Sequence, residues 1–520
     1  FKATKAFSTK YLGELRLEDL QRPVKKYDHL PLDRQTFGDD MVTISTRLGK
    51  VRGANSASVP LFLGLRYGAP PTGLRRFLSP VRSDSWTGTL DATRYPNRAM
   101  QYKTEGTLGA PILGDMSEDC LFLNITTPSI TGKLRPVLFW IHGGGFINGS
   151  GNELDGAVLA DQGDVVVVSV NYRLGAFGLL NLSSHGPEYK GSSSNSIRDL
   201  VLALQWVSDN IEEYGGDPEN VTISGVSSGG TLVLSLLATP AADNLYHKAI
   251  AHSATCAYKT ADDPTNELCK RLKVSREEFL SHLRAMSASE ILALNLGFRV
   301  CVDKTVVTRS TFEAIKDRGD SGVPLLTGTN LREGSLYTQG RDQDQDHYTE
   351  WNRGLAKEML CGEDPQKYLA ALRETYPDAS PGQYHEMIWT DMFRRTTLKA
   401  AELTSTAGPG SWFYRFDLAP TLPDHKHLGA THGSENAFVF NIFENPNTHG
   451  FTYHDRDDPV VRKIARAWSD VIVRFMRTGQ PGNHNDWPVY EPSKRRSLII
   501  HETLRIESDP DELHRGLWNL

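Results

Sequence analysis

VTISGVSSGGTLVLSLLATP, residues 221–240, decides how this chain folds. Val221, Thr222 and Ile223 are β-branched, which predicts a strand running into Gly225. Gly225-Val226-Ser227-Ser228-Gly229 fits the spacing G-x-S-x-G. Gly230 to Thr239 is apolar and of helix length, and Pro240 stops it. Strand, tight turn and helix form the setting in which this spacing forces a serine into a sharp, exposed bend at the carboxyl edge of a sheet. Glycines on both sides let the backbones pass closely. Two readings stand at this point, a glycine-rich structural turn and a nucleophile, and the rest of the chain has to separate them.

Outward from this stretch the pattern is consistent. Pro136 to His142 (PVLFWIH) and Val165 to Arg173 (VVVVSVNYR) are near-continuous apolar runs, as strands buried on both faces are. Asp199 to Tyr214 predicts a helix, with Leu200, Ala203, Leu204, Val207 and Ile211 on one face and Gly215-Gly216 as the stop. Nearer the start, Val42, Ile44 and Thr46 alternate before Gly49-Lys50-Val51, a β pattern. Strands alternating with helices predict an α/β fold with a central, mostly parallel sheet flanked by helices. Residues 255–300 and 340–400 are expected to be large helical insertions. Residues 1–40, polar and charged with scattered prolines, predict an N-terminal extension, and residues 41–520 a single domain.

Composition narrows the function classes. The 520 residues are 39% hydrophobic and 23% charged, ordinary for a globular chain with a large core. A net charge of −6 gives no footing for nucleic acid or an anionic membrane. No apolar run approaches the roughly 20 residues of a membrane span. None of the five cysteines forms a C-x-x-C pair, which argues against a thiolate zinc site, and the odd count predicts mostly buried thiols. Asn124, Asn148, Asn181 and Asn220 open N-x-S/T triplets, which are common by chance. The chain starts at Phe1 without a signal-like segment, an opening compatible with a leader already removed.

A serine hydroxyl is a poor nucleophile at neutral pH; it needs a base within hydrogen-bond reach, and the base needs an orienting carboxylate. In strand-turn-helix serine sites the chain order is serine, acid, histidine. Downstream, Glu333 lies in GTNLREGS (residues 328–335), just past the apolar Val323 to Leu326. His432 lies in GATHGSE (residues 429–435), a loop ahead of Ala437-Phe438-Val439-Phe440. Alone, each would read as an exposed loop side chain; their order and setting make them candidates for acid and base. The tetrahedral intermediate also needs donors for its oxyanion. His142-Gly143-Gly144-Gly145-Phe146 follows a predicted buried strand and leaves backbone N–H groups free to point at a ligand.

Further blocks bring these residues to a recognisable family. Gly49-Lys50-Val51-Arg52-Gly53, Phe62-Leu63-Gly64, Pro70-Pro71-Thr72-Gly73, Arg76-Phe77, Ser117-Glu118-Asp119-Cys120-Leu121, Leu123-Asn124 and Asn171 to Gly178 (NYRLGAFG) occur in order. So do Asp199, Trp206 and Gly215-Gly216-Asp217-Pro218 ahead of Ser227. From about Thr43 to the C-terminus the chain resembles the cholinesterase-like type B carboxylesterases of the α/β-hydrolase fold. The resemblance implies Ser227 as nucleophile, Glu333 as triad acid, His432 as base, and the N–H groups of Gly144, Gly145 and Ser228 as oxyanion hole. It implies hydrolysis of neutral carboxylic esters through an acyl-enzyme, with a small-molecule ester as partner and no cofactor or metal. It also implies two scaffold ion pairs, Arg76 with Glu118 and Arg173 with Asp199. Oligomeric state and natural ester stay open.

The chain departs from the family pattern at several positions. Val226 stands before the serine where the family has Glu. Ala110 stands at the aromatic anchor for quaternary ammonium, so no cation–π platform is expected there. Ala99 replaces the cysteine partner of Cys120, and His282 stands where the partner of Cys269 is expected. With those pairs broken an oxidising compartment is not required, which tilts an otherwise open expectation from secreted toward cytoplasmic. Arg66 occupies a position where proline is common. Leu294 and Leu296 fall near the acyl-pocket loop and read equally as an aliphatic wall or as core. Two competing functions are a catalytically weak or inactive binding or adhesion module and metal chelation by His425, His427 and His432. The filled triad positions speak against the first, and the lack of further Cys or His ligands against the second.

Overall fold

In the computed structural model, which describes residues 41–56, 59–102, 113–294, 297–342, 347–445, 448, 450–482 and 487–518, most strands join one sheet. The expected extension 1–40, Ala110 and Leu296 lie outside the described residues. In chain order the strands are β1 (Val42–Thr46), β2 (Gly49–Ser56), β3 (Val59–Arg66), β4 (Thr89–Ala92), β5 (Arg98–Ala99), β6 (Met116–Ser117), β7 (Phe122–Thr126) and β8 (Arg135–Ile141). They continue with β9 (Val166–Val170), β10 (Gly216–Val226), β11 (Lys248–His252), β12 (Leu325–Asn330), β13 (Ser411–Phe416), β14 (Arg496–Ile500) and β15 (Leu504–Ser508). The sheet order is β1-β2-β3-β7-β9-β8-β10-β11-β12-β13-β14-β15, with β4 on β2 and β5-β6 apart as a small pair.

From β9 through β14 every neighbouring pair is parallel, while the flanking pairs, β7 with β9 and β14 with β15, are antiparallel. The sheet is therefore mostly parallel, as its sequence predicts, with helices between its strands in an α/β arrangement. The apolar runs sit at its centre: β9 is buried throughout, and β8 at every residue but Pro136. One consequence matters for chemistry. Residues directly after β8, β10, β12 and β13 leave the sheet at the same, carboxyl edge, where ligand sites of parallel sheets gather.

The helix predicted over 199–214 runs over Asn195–Asn210 and closes with a 3-10 turn, Ile211–Tyr214, before Gly215 at φ 81°. Its first turn is polar and buried, so apolar periodicity does not reveal it. Asn195 donates to the Phe77 carbonyl at 2.7 Å and Ser196 to the Arg173 carbonyl at 2.6 Å. The insertions are helical, with helices such as Thr265–Leu272, Arg276–Ala285 and Ala288–Leu292, then His347–Met359, Gln366–Thr375 and the long Pro381–Ala407. Leu294 is buried in one apolar cluster with Phe177, Leu268 and Phe279. Among the described residues no helix is long and apolar enough to cross a membrane.

Both implied scaffold pairs form. Arg76 Nε donates to Glu118 Oε2 at 2.7 Å. Arg173 reaches Asp199 through Nε at 2.8 Å and Nη2 at 2.7 Å, both side chains essentially sealed from water. Arg66 also gains an account: its guanidinium forks onto Asp119 at 2.5 and 2.8 Å and lies 4.3 Å over the Phe122 ring. The five cysteines are free thiols, but only Cys120 is buried; Cys256, Cys269, Cys301 and Cys361 are half-buried, against the mostly buried set expected, because they lie in the helical insertions and their turns rather than in the sheet core.

Candidate active site

Ser227 stands between the end of β10 and the helix Ser228–Leu236, at φ 59° and ψ −124°. A non-glycine residue there stores about 1–3 kcal/mol of strain, which the surroundings must hold. They do so through the Ser227 amide, which donates to the His252 carbonyl at 2.9 Å, and through the Ser227 carbonyl, which accepts from Thr231 N at 2.9 Å. The flanking glycines are required sterically. A Cβ at Gly229 would lie 2.2 Å from the Ile141 carbonyl oxygen, and one at Gly225 2.7 Å from the same atom. No side chain fits between the elbow and β8.

Glu333 follows β12 and is wholly buried. Its Oε1 accepts from the Ser253 hydroxyl at 2.5 Å and the Asn330 amide at 2.6 Å. Its Oε2 lies 2.5 Å from His432 Nδ1. The structure thus brings Glu333 and His432 together from segments 99 residues apart. The His432 Nε2 atom is buried and has no hydrogen-bond partner among the described residues. Glu435, the other carboxylate of that loop, turns instead to Asn330, whose Nδ2 donates to it at 2.6 Å. Burial first, and then the charge of Glu333, pushes the Glu435 carboxyl above its ordinary range. Of the histidines considered as chelators, His425 packs edge-on against Tyr453, and His432 is committed to Glu333.

The glycine loop after β8 packs onto the elbow. A Cβ at Gly143 would stand 2.9 Å from the Val226 carbonyl and 3.2 Å from Ser227 Cβ. Gly144 and Gly145 take φ of 107° and 63°, and a Cβ at Gly144 would fall 2.2 Å from the Asn148 carbonyl. His142 is fixed beneath the loop, stacked on Tyr172 at 4.4 Å, and Tyr172 OH donates to the His142 carbonyl at 2.9 Å. Burial pulls His142 down to about 4, which keeps it neutral at pH 7. Val226 is buried in the core cluster with Trp140 and Ile250, so an apolar contact replaces the carboxylate that the family pattern places there.

Several supporting residues escape the sequence reading. Ser253, at φ 48°, holds Glu333. Phe393 stacks on the His432 ring at 4.5 Å, and Tyr337 lies 5.8 Å from the same ring. Arg394 donates to the carbonyls of Asn330 and Leu331 at 3.0 and 2.9 Å, bracing the turn that carries Glu333. Their only sequence signal is position, since Ser253 directly follows a strand of the parallel core; Phe393 and Arg394 sit inside a helix with no motif.

The Carboxylesterase family matches residues 39–518. This chain belongs to that family. The carboxylesterase is 35% identical over 493 residues to the para-nitrobenzyl esterase of Bacillus subtilis (strain 168), covering 91% of this chain and 97% of the relative. It is 32% identical over 486 residues to the human cocaine esterase, covering 86% and 84%. Among solved structures, a PNB esterase superposes with a TM-score of 0.81 at 30% identity, covering 92% of this chain and 99% of the other. The Geobacillus stearothermophilus carboxylesterase EST55 does so with a TM-score of 0.78 at 32% identity, covering the same shares. The protein is a carboxylic ester hydrolase, a serine hydrolase by family, acting on small esters. The adhesion reading gives way to that membership.

Proposed function

We propose that this carboxylesterase cleaves neutral carboxylic esters through an acyl-enzyme, with residues 41–520 acting as one catalytic domain. Ser227 Oγ attacks the ester carbonyl while His432 Nε2 takes its proton. Glu333 holds the imidazole with the proton on Nδ1 and balances the charge as imidazolium forms. The N–H groups of Gly144, Gly145 and Ser228 receive the oxyanion. His432 then protonates the leaving alcohol, and water repeats the steps in reverse to release the acid. The observation that supports this reading best is the His432 ring. One nitrogen is fixed on a buried carboxylate and the other is buried with no hydrogen-bond partner among the described residues, Ser227 included, while Ser227 itself stands strained at the carboxyl edge of the parallel sheet.

Neutral esters are favoured over choline esters because the sequence resemblance assigns to Ala110 the position of the family's aromatic anchor, and alanine carries no aromatic face for a cation. That contact is worth up to about 2 kcal/mol when desolvated, roughly thirtyfold in affinity. The Bacillus relative is named for para-nitrobenzyl esters, so an ester of an aromatic alcohol heads the panel. Rapid mixing with such an ester should release a burst of alcohol equal to the enzyme present, followed by a slower steady rate. Acetylcholine should give a lower kcat/KM than its uncharged dimethylbutyl analogue at about 0.15 M salt. A tenfold preference for acetylcholine would overturn the neutral-ester reading, and failure to trap an acylated protein by mass spectrometry after an acid quench, across esters of differing acyl groups, would overturn the acyl-enzyme.

A further inference from the structure

Away from the candidate triad, two thiols meet. Cys256 Sγ and Cys361 Sγ lie 3.6 Å apart, brought together from positions 105 residues apart. Both residues are half-buried. Cys361 sits in the turn that closes the helix His347–Met359, at φ 56°, a conformation that favours glycine. Its position is over-determined: Cys361 N donates to the Glu358 carbonyl at 3.0 Å and Gly362 N to the Lys357 carbonyl at 2.8 Å. Arg395 Nη1 donates to the Met359 carbonyl at 2.7 Å and reaches Cys361 Sγ at 3.7 Å. One sulfur thus carries a cationic neighbour and shares a hydrogen bond with the other, in which either thiol can donate, the arrangement of a reactive thiolate beside a resolving thiol. The hydrogen bond with Cys256, and behind it Arg395, lowers the Cys361 thiol against the opposing effect of burial, while Cys256 is raised. The other cysteines differ: Cys120 is sealed in the core, and Cys269 and Cys301 face the carbonyls of Ser275 and Arg299.

We propose that Cys256 and Cys361 form a redox-active dithiol that a hydroperoxide closes to a disulfide, and that closure slows the esterase. The Cys361 thiolate attacks the peroxide oxygen; the O–O bond breaks, a sulfenic acid forms, and the leaving oxygen takes a proton to give an alcohol or water. Cys256 then attacks the sulfenyl sulfur; the S–S bond forms and the S–OH oxygen leaves as water with the Cys256 proton. Two thiols are oxidised by two electrons and one hydroperoxide is reduced. Closing to a bond of about 2.0 Å draws the sulfurs together by about 1.6 Å. The Cys256 segment cannot yield freely, because Ser253 holds Glu333 at 2.5 Å and Thr255 N donates to Thr231 Oγ1 at 2.9 Å. Thr231 in turn donates to the Ser227 carbonyl at 3.1 Å.

The test treats the full chain with a few equivalents of hydrogen peroxide, alkylates the remaining thiols and reads mass and ester hydrolysis. Once denatured, the treated protein should take up two fewer alkyl groups than the untreated protein, a digest without reductant should contain the Cys256–Cys361 cross-linked peptide, and kcat should drop severalfold and return with dithiothreitol. Cys256→Ser and Cys361→Ser should keep basal activity and lose the peroxide response. Phenylarsine oxide, which bridges close thiols, should bind the untreated protein and neither variant. The mass readout is independent of any triad assignment. A cross-link at other cysteines, or none, overturns the site; a formed cross-link with unchanged kcat, or equal inactivation of both variants, overturns its control of the enzyme.

Discussion

Replacing Glu333 with Gln tests the acid through tautomer logic. Glu333 Oε1 accepts from the Ser253 hydroxyl at 2.5 Å and the Asn330 amide at 2.6 Å, while Oε2 faces His432 Nδ1 at 2.5 Å. In the variant the amide oxygen has to take the Oε1 place, because an NH2 there would confront two donors and leave them unpaired, at about 1–3 kcal/mol each. The NH2 then points at His432 Nδ1 and makes it an acceptor. The ring proton moves to Nε2, which can no longer take a proton from Ser227. The corresponding exchange in a serine protease triad lowers kcat about 10,000-fold, or about 5.4 kcal/mol of barrier. A loss of that order is expected here on a neutral chromogenic ester, with the urea unfolding curve retained because the exchange is isosteric. A loss under about tenfold in a folded protein would refute the reasoning. So would an equal loss in Glu435→Gln, whose carboxylate does not touch the imidazole.

Two further predictions concern stability. Asp199→Asn strips the sealed Arg173 guanidinium of its counter-charge and should cost about 3–5 kcal/mol in urea unfolding. Asp91→Asn, which breaks a pair with Arg52 that is 49% exposed on both sides, should cost less than about 1 kcal/mol, and equal costs would contradict the scaffold role. For Glu435, burial and the charge of Glu333 raise the carboxyl, so the native state keeps a proton that the unfolded chain releases near its ordinary value of about 4.3. The stability from this group is full below that pH and is lost as pH rises through the raised native value. Glu435→Gln removes the titration, so its stability relative to wild type should grow from acid toward neutral pH; a difference that does not vary with pH would contradict it.

The parallel sheet and Ser227 are legible in the sequence because each carries a local signature, whereas Glu333 and His432 are reached only through chain order, strand-end setting and the family resemblance. The apolar runs of β8 and β9, the glycines around Ser227 and the glycine loop after β8 each serve a backbone that admits few alternatives. What escapes is whatever depends on distant polar partners. The start of the helix at Asn195 is fixed by Phe77 and Arg173 carbonyls. Arg66 is explained only by Asp119 and Phe122. Ser253, Asn330 and Phe393 acquire their roles where β11, β12 and the helix Pro381–Ala407 converge on Glu333 and His432. No spacing within one segment encodes such contacts, and the Cys256–Cys361 pair is of the same kind.

The assignment of Ser227 is tested most directly by labelling with a serine-directed organophosphate and locating the adduct by peptide mass spectrometry. The account predicts one adduct, on Ser227, with labelling and ester hydrolysis both abolished in a folded Ser227→Ala protein. An adduct on Ser228 or another serine, or a Ser227→Ala variant that hydrolyses esters at the wild-type rate, would contradict it.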